Sequence, residues 1–137
     1  MKQKGFSLIE LMIVVAILAI LVGVMTVSIY QQYTIKARVT EGLSMVSSAK
    51  LAVSESTAVM NRLPVDQAST GYTTPLPTRD VDSIVIGAQG VITITYSATI
   101  GGGTIVFTPT FQPGSDITWN CTGGTLRPSY RPAICRP

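Results

Sequence analysis

From Leu11 to Ile35 the chain carries no charge, and Leu11–Ile29 is mostly apolar, interrupted only by Gly23, Thr26 and Ser28. As a helix this run spans about 28 Å, close to the hydrocarbon thickness of a bilayer. A buried core helix is the alternative, but the rest of a 137-residue chain is too short to wrap it on every side. The run therefore predicts a membrane-spanning helix. Beyond it the pattern turns amphipathic. Ile35, Val39, Leu43, Val46, Ala49 and Val53 recur every three or four residues, one stripe of a 3.6-residue period. Lys36, Arg38, Glu41, Lys50 and Glu55 fall mostly off that stripe. Asn61 and Pro64 mark the stop.

After the helix the periodicity changes. Residues 61–83 hold Pro64, Gly71, Pro75 and Pro77 among many Thr and Ser, a loop by composition. Short strands follow at Ser83–Gly87, at Val91–Tyr96 with alternating apolar residues and Thr, at Thr104–Thr108 and at Asp116–Asn120. Short connections favour an antiparallel meander. Gly101-Gly102-Gly103 has no Lys after it and opens no helix, so it predicts a hairpin turn, not a phosphate cradle. The fold class is α+β: a long amino-terminal helix packed on a carboxyl-terminal antiparallel sheet of about four strands.

Composition narrows the function classes. Only 12% of residues are charged against 46% hydrophobic, and the net charge is +3. That charged share is about half the usual one and rules out a disordered tail. There is no His and there are two Cys, so a zinc site cannot be assembled and the commonest general base is missing. Neither a catalytic residue nor a cofactor is expected. Lys2 and Lys4 precede the span and no cation follows until Lys36, which places the amino end on the cytoplasmic side. No small-residue cleavage site follows the apolar run, so the span is expected to stay in the protein. Glu10 is the anomaly. An acid at the edge of an uncharged span costs about 1–3 kcal/mol in lipid. As a first-turn acid on the helix dipole it recovers only about 0.3–1 kcal/mol.

Gly5-Phe6-Ser7-Leu8-Ile9-Glu10, followed by Leu11-Met12-Ile13-Val14-Val15-Ala16, resembles the processing site of type IV prepilins: a short basic leader ending in Gly, then Phe, then Glu at the head of a long apolar helix. Tyr30-Gln31-Gln32-Tyr33-Thr34 resembles that family's Tyr-x-x-Tyr segment. Trp119-Asn120-Cys121 and Tyr130-Arg131-Pro132-Ala133-Ile134-Cys135-Arg136 resemble the closing disulfide loop of type IVa pilins. The helix-kinking Pro that many relatives carry before the first Tyr is missing from Val27-Ser28-Ile29. The resemblance implies that a prepilin peptidase cuts between Gly5 and Phe6 and that the new Phe6 amine is N-methylated. It further implies that Glu10 of one subunit pairs with the Phe6 amine of a neighbour. Such an amine titrates near 8 and is mostly protonated at neutral pH. At spacing i, i+4, Phe6 and Glu10 share a helix face.

The organisation that follows is a leader at 1–5, a helix at 6–60 with 11–29 in the membrane, and a head at 61–137. Within the head, a loop at 61–83 leads into the sheet at 84–120 and a loop at 121–135 closed by Cys121 and Cys135. The far side of the membrane is oxidising, so these two cysteines are expected as a disulfide. The implied role is a structural subunit of a type IV pilus, held in the inner membrane with its head in the periplasm and then assembled with copies of itself into a helical surface filament. The implied partners are the peptidase, the inner-membrane assembly machinery and the membrane; adhesion, twitching motility and DNA uptake are the implied uses, with a host surface or DNA as ligand. A pseudopilin of a type II secretion system is the alternative in the same family, disfavoured by the Cys pair. A monomeric membrane-anchored module binding DNA through Arg127, Tyr130 and Arg131 is a weaker one, since three Arg and one aromatic are a thin footprint.

Overall fold

The computed structural model describes residues 5–137, except the side chains of residues 25–28. Helix α1 spans Leu8–Met60. The chain divides into two units, the first ending at Thr34 and the second covering Ile35–Pro137. In the first, the described apolar side chains are exposed: Leu8, Ile9, Leu11, Met12, Ile20 and Val24 are each 59–76% accessible. An 18-residue window here has a mean hydropathy of 3.0 with no part of it buried. By length and composition this segment suits a bilayer.

The second unit is a helix-on-sheet sandwich. Strands β1 (Val81–Ile86), β2 (Ile92–Tyr96), β3 (Gly103–Thr110) and β4 (Thr118–Gly123) pair in chain order, every neighbour antiparallel. Register places Ile84 opposite Ile94, Ile94 opposite Ile105 and Ile92 opposite Phe107. These side chains, with Ile86 and Tyr96, are buried, whereas Thr93 and Thr95 stand half-exposed between them. The period-two alternation thus resolves into an inner face on the helix and an outer face to water.

On α1 the buried positions are Val39, Gly42, Val46, Ala49, Val53 and Thr57. Four belong to the expected stripe. Ile35 and Leu43 are only partly buried, and Gly42 and Thr57 share the buried face with the other four. Gly42 is there because Tyr96 lies across the helix: a Cβ at Gly42 would stand 2.6 Å from Tyr96 Cε1. That close approach lets the Tyr96 hydroxyl donate to the Val39 carbonyl at 2.9 Å. The Thr57 hydroxyl is satisfied by the Val53 carbonyl at 2.7 Å, the back-bond that makes a buried Thr tolerable in a helix. The helix ends as expected. Asn61 takes a left-handed conformation, φ 51°, and Pro64 is buried just beyond.

Strand edges shift from the expected ones. β1 starts at Val81, ahead of the expected Ser83, because Thr78 caps it: the Thr78 N–H donates to the Val81 carbonyl at 2.8 Å and the Val81 N–H to Thr78 Oγ1 at 3.1 Å. Two acids hide this start from a hydropathy reading. Asp80 is buried, with Arg38 Nη1 3.8 Å and Thr99 Oγ1 3.2 Å from Oδ1, and Asp82 faces out. β4 begins at Thr118 and runs past Cys121 to Gly123; Asp116 stays outside it, in the connection after the turn at 113–115. The triple glycine is also more than a bare hairpin. A 3-10 turn at Ala98–Ile100 precedes it, and Gly101, Gly102 and Gly103 then all take positive φ (99°, 63°, 110°), conformations that only Gly adopts without strain.

Burial raises the Tyr96 hydroxyl's pKa well above the usual tyrosine range. The folded state then keeps Tyr96 neutral after the unfolded chain has begun to ionise, so its stabilising contribution is complete below pH 10 and lost as pH rises further. In denaturant titrations of the full chain in detergent, wild type is expected to lose stability above about pH 10. Tyr96→Phe should lower stability at pH 7 by about 1–2 kcal/mol and flatten that alkaline slope. Gly42→Ala should cost about 1–3 kcal/mol by overpacking against Tyr96.

Candidate assembly site and the carboxyl-terminal clasp

Phe6 and Ser7 precede the helix, with Phe6 81% exposed. Since α1 begins at Leu8, Phe6 does not share a helical face with Glu10 here, contrary to the i, i+4 expectation. What Glu10 meets is its own chain. Its Oε2 accepts the Ser7 N–H at 3.0 Å, while the N–H groups of Glu10 and Leu11 donate to the Ser7 carbonyl at 3.1 and 3.3 Å. Ser7-Leu8-Ile9-Glu10 is a Ser-x-x-Glu sequence, and the Glu-to-N-cap half of a capping box is formed. That signal is present in the sequence and outweighs the bare dipole term assigned to Glu10 above. The carboxylate remains exposed, and no cation lies within 4 Å of it among the described residues. Gly5, the residue before the expected cut, is exposed with nothing within 4 Å of where a Cβ would stand. Residues 1–4 of the expected leader, with Lys2 and Lys4, lie outside the described residues.

At the other end Cys121 and Cys135 form a disulfide. Cys121 sits in β4 and Cys135 ends a 3-10 turn at Ala133–Cys135; both are buried. A second fastening lies inside the loop. Arg131 is 3% exposed. Its Nε donates to the Leu126 carbonyl at 2.8 Å, Nη1 to Thr122 at 2.7 Å and Gly123 at 3.1 Å, and Nη2 to Gly124 at 2.7 Å. The guanidinium thus satisfies carbonyls at the end of β4 and in the loop that follows it, a task suited to its rigid fork of five donors. Its own carbonyl accepts from Arg136 Nε at 3.1 Å. The sequence reading assigns Arg131 to a DNA-binding footprint with Arg127 and Tyr130. It is instead an internal strut, which leaves that footprint with Arg127 and Tyr130, the guanidinium 5.8 Å from the ring centre.

Beside this clasp, Lys50 on α1 places its Nζ 4.3 Å from the ring centre of Phe107 and 5.5 Å from that of Trp119. Burial pushes the Lys50 ammonium's pKa down.

A family model described as Pilin (bacterial filament) matches residues 35–136, and one for the prokaryotic N-terminal methylation motif matches residues 1–26. The chain belongs to the pilin family. It is 34% identical to fimbrial protein EcpC of Eikenella corrodens, covering 98% of this chain and 91% of that protein. Identity to the type IV major pilin protein PilE of Neisseria gonorrhoeae is 34%, covering 87% and 74%. Identity to prepilin peptidase-dependent protein D of Escherichia coli K12 is 35%, covering 88% and 84%. Relatives that are fimbrial proteins and major pilins place this pilin among pilus structural subunits, and the pseudopilin alternative is not favoured.

Two fastenings hold the pilin's carboxyl-terminal loop, so each should be measurable alone. Replacing Cys121 and Cys135 together with Ser should cost about 3 kcal/mol in the chain-entropy account. Arg131→Gln, which strips donors from buried carbonyls, should cost about 2–4 kcal/mol. Urea unfolding of the full chain in detergent checks both. Arg131→Gln as stable as wild type would show that the strut is ornamental.

Proposed function

We propose that this pilin is the repeating subunit of a type IV pilus, inserted in the membrane by the first part of α1, cut between Gly5 and Phe6, N-methylated on Phe6, and assembled with Glu10 of one subunit against the Phe6 amine of another. One observation carries the reading. The described apolar side chains of the first unit are exposed, and the single acid among them has no cation within 4 Å among the described residues. In a dry bundle of such helices an unpaired carboxylate is costly, and a neighbour's terminal ammonium neutralises both charges. The methylation-motif match over residues 1–26 supports the cut and the methylation, and the relative whose printed name makes it prepilin peptidase-dependent supports the enzyme class. Lys2 and Lys4 support an amino end held in the cytoplasm. The disulfide suits a head delivered to an oxidising compartment.

The capping bond sharpens the test. Gln at position 10 still offers an oxygen to the Ser7 N–H, so Glu10→Gln removes the charge and keeps the cap. Losing one member of a buried ion pair typically costs about 3–5 kcal/mol, a hundredfold or more at each addition of a subunit. Insertion should be unharmed, since the span becomes more apolar. Glu10→Gln is therefore expected to accumulate in the membrane, cut and methylated, while sheared filaments become scarce; normal filament yield would defeat the pairing. Processing has its own check. Intact mass of assembled protein should show Phe6 at the terminus, with net charge falling from +3 to +1 as Lys2 and Lys4 leave, and a bulky residue at Gly5 should leave precursor only.

A further inference from the structure

Behind the clasp, α1, β3, β4 and the carboxyl-terminal loop line an open, solvent-facing cavity of about 390 Å³ whose walls include Leu43, Lys50, Phe107, Trp119, Pro132 and Ile134. Volume in this range accommodates a small organic molecule. The walls are apolar apart from Thr40 and Lys50. The Lys50 ammonium rests on two ring faces, and no carboxylate lies within 4 Å of it among the described residues. The geometry of the surroundings explains why. On α1 the neighbours at i±3 and i±4 are Ser47, Val53, Val46 and Ser54, and the strand residues facing Lys50 are aromatic. Cation–π contact compensates an ammonium only in part. Burial accordingly disfavours its charged form. At the rim Ile134 is 82% exposed, an apolar side chain held on the loop by the adjacent disulfide with nothing covering it.

A partly desolvated cation without a counter-ion, at the wall of an apolar cavity with a flat indole beside it, is complementary to an anion with an apolar body. We propose that this cavity binds an amphipathic carboxylate, its charged end on Lys50 Nζ and its body against Trp119, Pro132 and Ile134. An aryl carboxylate and a medium-chain fatty acid share this chemistry. The site uses no residue of the assembly pair, so its failure would leave the pilus reading untouched.

Trp119 is the only tryptophan in the sequence, so its fluorescence reports on the cavity directly. The full chain in dodecyl maltoside micelles would be titrated with 4-phenylbutyrate, with octanoate and with uncharged 4-phenylbutanamide, subtracting the response of free tryptophan in the same micelles. A saturable change is expected for at least one carboxylate with Kd of about 1 mM or tighter, the scale set by so small a ligand. The amide should bind up to about fivefold more weakly, the loss of one partly exposed ion pair. Lys50→Gln should bring the carboxylates down to the amide's level and leave the amide unchanged, and Lys50→Arg should retain the preference for the charged form. Ile134→Glu, on a side chain too exposed to matter for folding, should weaken carboxylates by placing a competing anion at the rim. Stronger binding of 4-phenylbutyrate identifies the aryl source and stronger binding of octanoate the alkyl one; both support the proposal. No saturable response up to about 20 mM, equal affinity for acid and amide, or undiminished carboxylate binding in Lys50→Gln would overturn it. So would a Trp119 signal that follows protein concentration and ignores the carboxylates, which would give the cavity to a second copy of the chain.

Discussion

A helix that is apolar all round has to be covered by something outside its own chain. In the first unit that demand is unmet: side chain after side chain from Leu8 to Val24 is exposed. Two kinds of cover are physically adequate, hydrocarbon and other helices of the same kind, and a pilus subunit needs each at a different stage. The rest of the molecule follows from keeping such a segment while still building a folded head. The helix cannot end at the membrane boundary, because an isolated sheet of four strands would lack a partner for its apolar face. It continues to Met60, and its pattern changes from apolar on every side to one buried stripe.

The head that results is small, and its stability depends on close contacts in a few places. Tyr96 reaches the Val39 carbonyl because position 42 has no side chain. Ile84, Ile92, Ile94 and Ile105 fill the space between sheet and helix. Past β4 the chain has few apolar residues with which to continue that core. Leu126 and Cys135 enter it; the remainder of the loop is fixed by a covalent bond and by one guanidinium. The two devices are complementary in physical kind. The disulfide restricts the unfolded chain, whereas Arg131 satisfies polar groups that folding removes from water.

The layers of this architecture were unequally legible in the sequence. The amphipathic continuation and the four antiparallel strands follow from periodicity, because those elements bury one face and periodicity records which; the apolar run follows from its length and composition, and the stop from Asn61 and Pro64. The processing-site residues were legible as a resemblance, and the structure adds a local role for two of them, the Ser7–Glu10 cap. What stayed hidden is what depends on a single partner far away in sequence. Gly42 looks like a helix weakness until Tyr96 is seen across it. Thr57 looks like a polar exposed position, and its burial depends on the Val53 carbonyl. Arg131 carries a charge and sits in a loop of arginines, so sequence reasoning assigns it to solvent; only the carbonyls of Thr122 to Leu126 converging on it reverse that. β1 was trimmed for a related reason, since Asp80 and Asp82 break the apolar pattern where Thr78 and Arg38 make a strand possible.

Glu10 shows how one residue can answer two constraints without conflict. Before assembly its carboxylate lies at the start of the helix, where Oε2 takes the otherwise unpaired N–H of Ser7 and favours the positive end of the helix dipole. A carboxylate has two oxygens and about four acceptor sites, and this bond occupies one of them. In the proposed filament a neighbour's Phe6 ammonium therefore meets a carboxylate that is already oriented and still has acceptor capacity, so pairing does not require the cap to break. Pre-orientation matters in a dry bundle, because an ion pair there repays desolvation only with good geometry and further hydrogen bonds. The cap provides one such bond. It also accounts for the spacing on physical grounds: a Glu at the third helical position can reach back to its own N-cap, whereas one a full turn later would sit deeper among the apolar side chains with no free N–H to hold it.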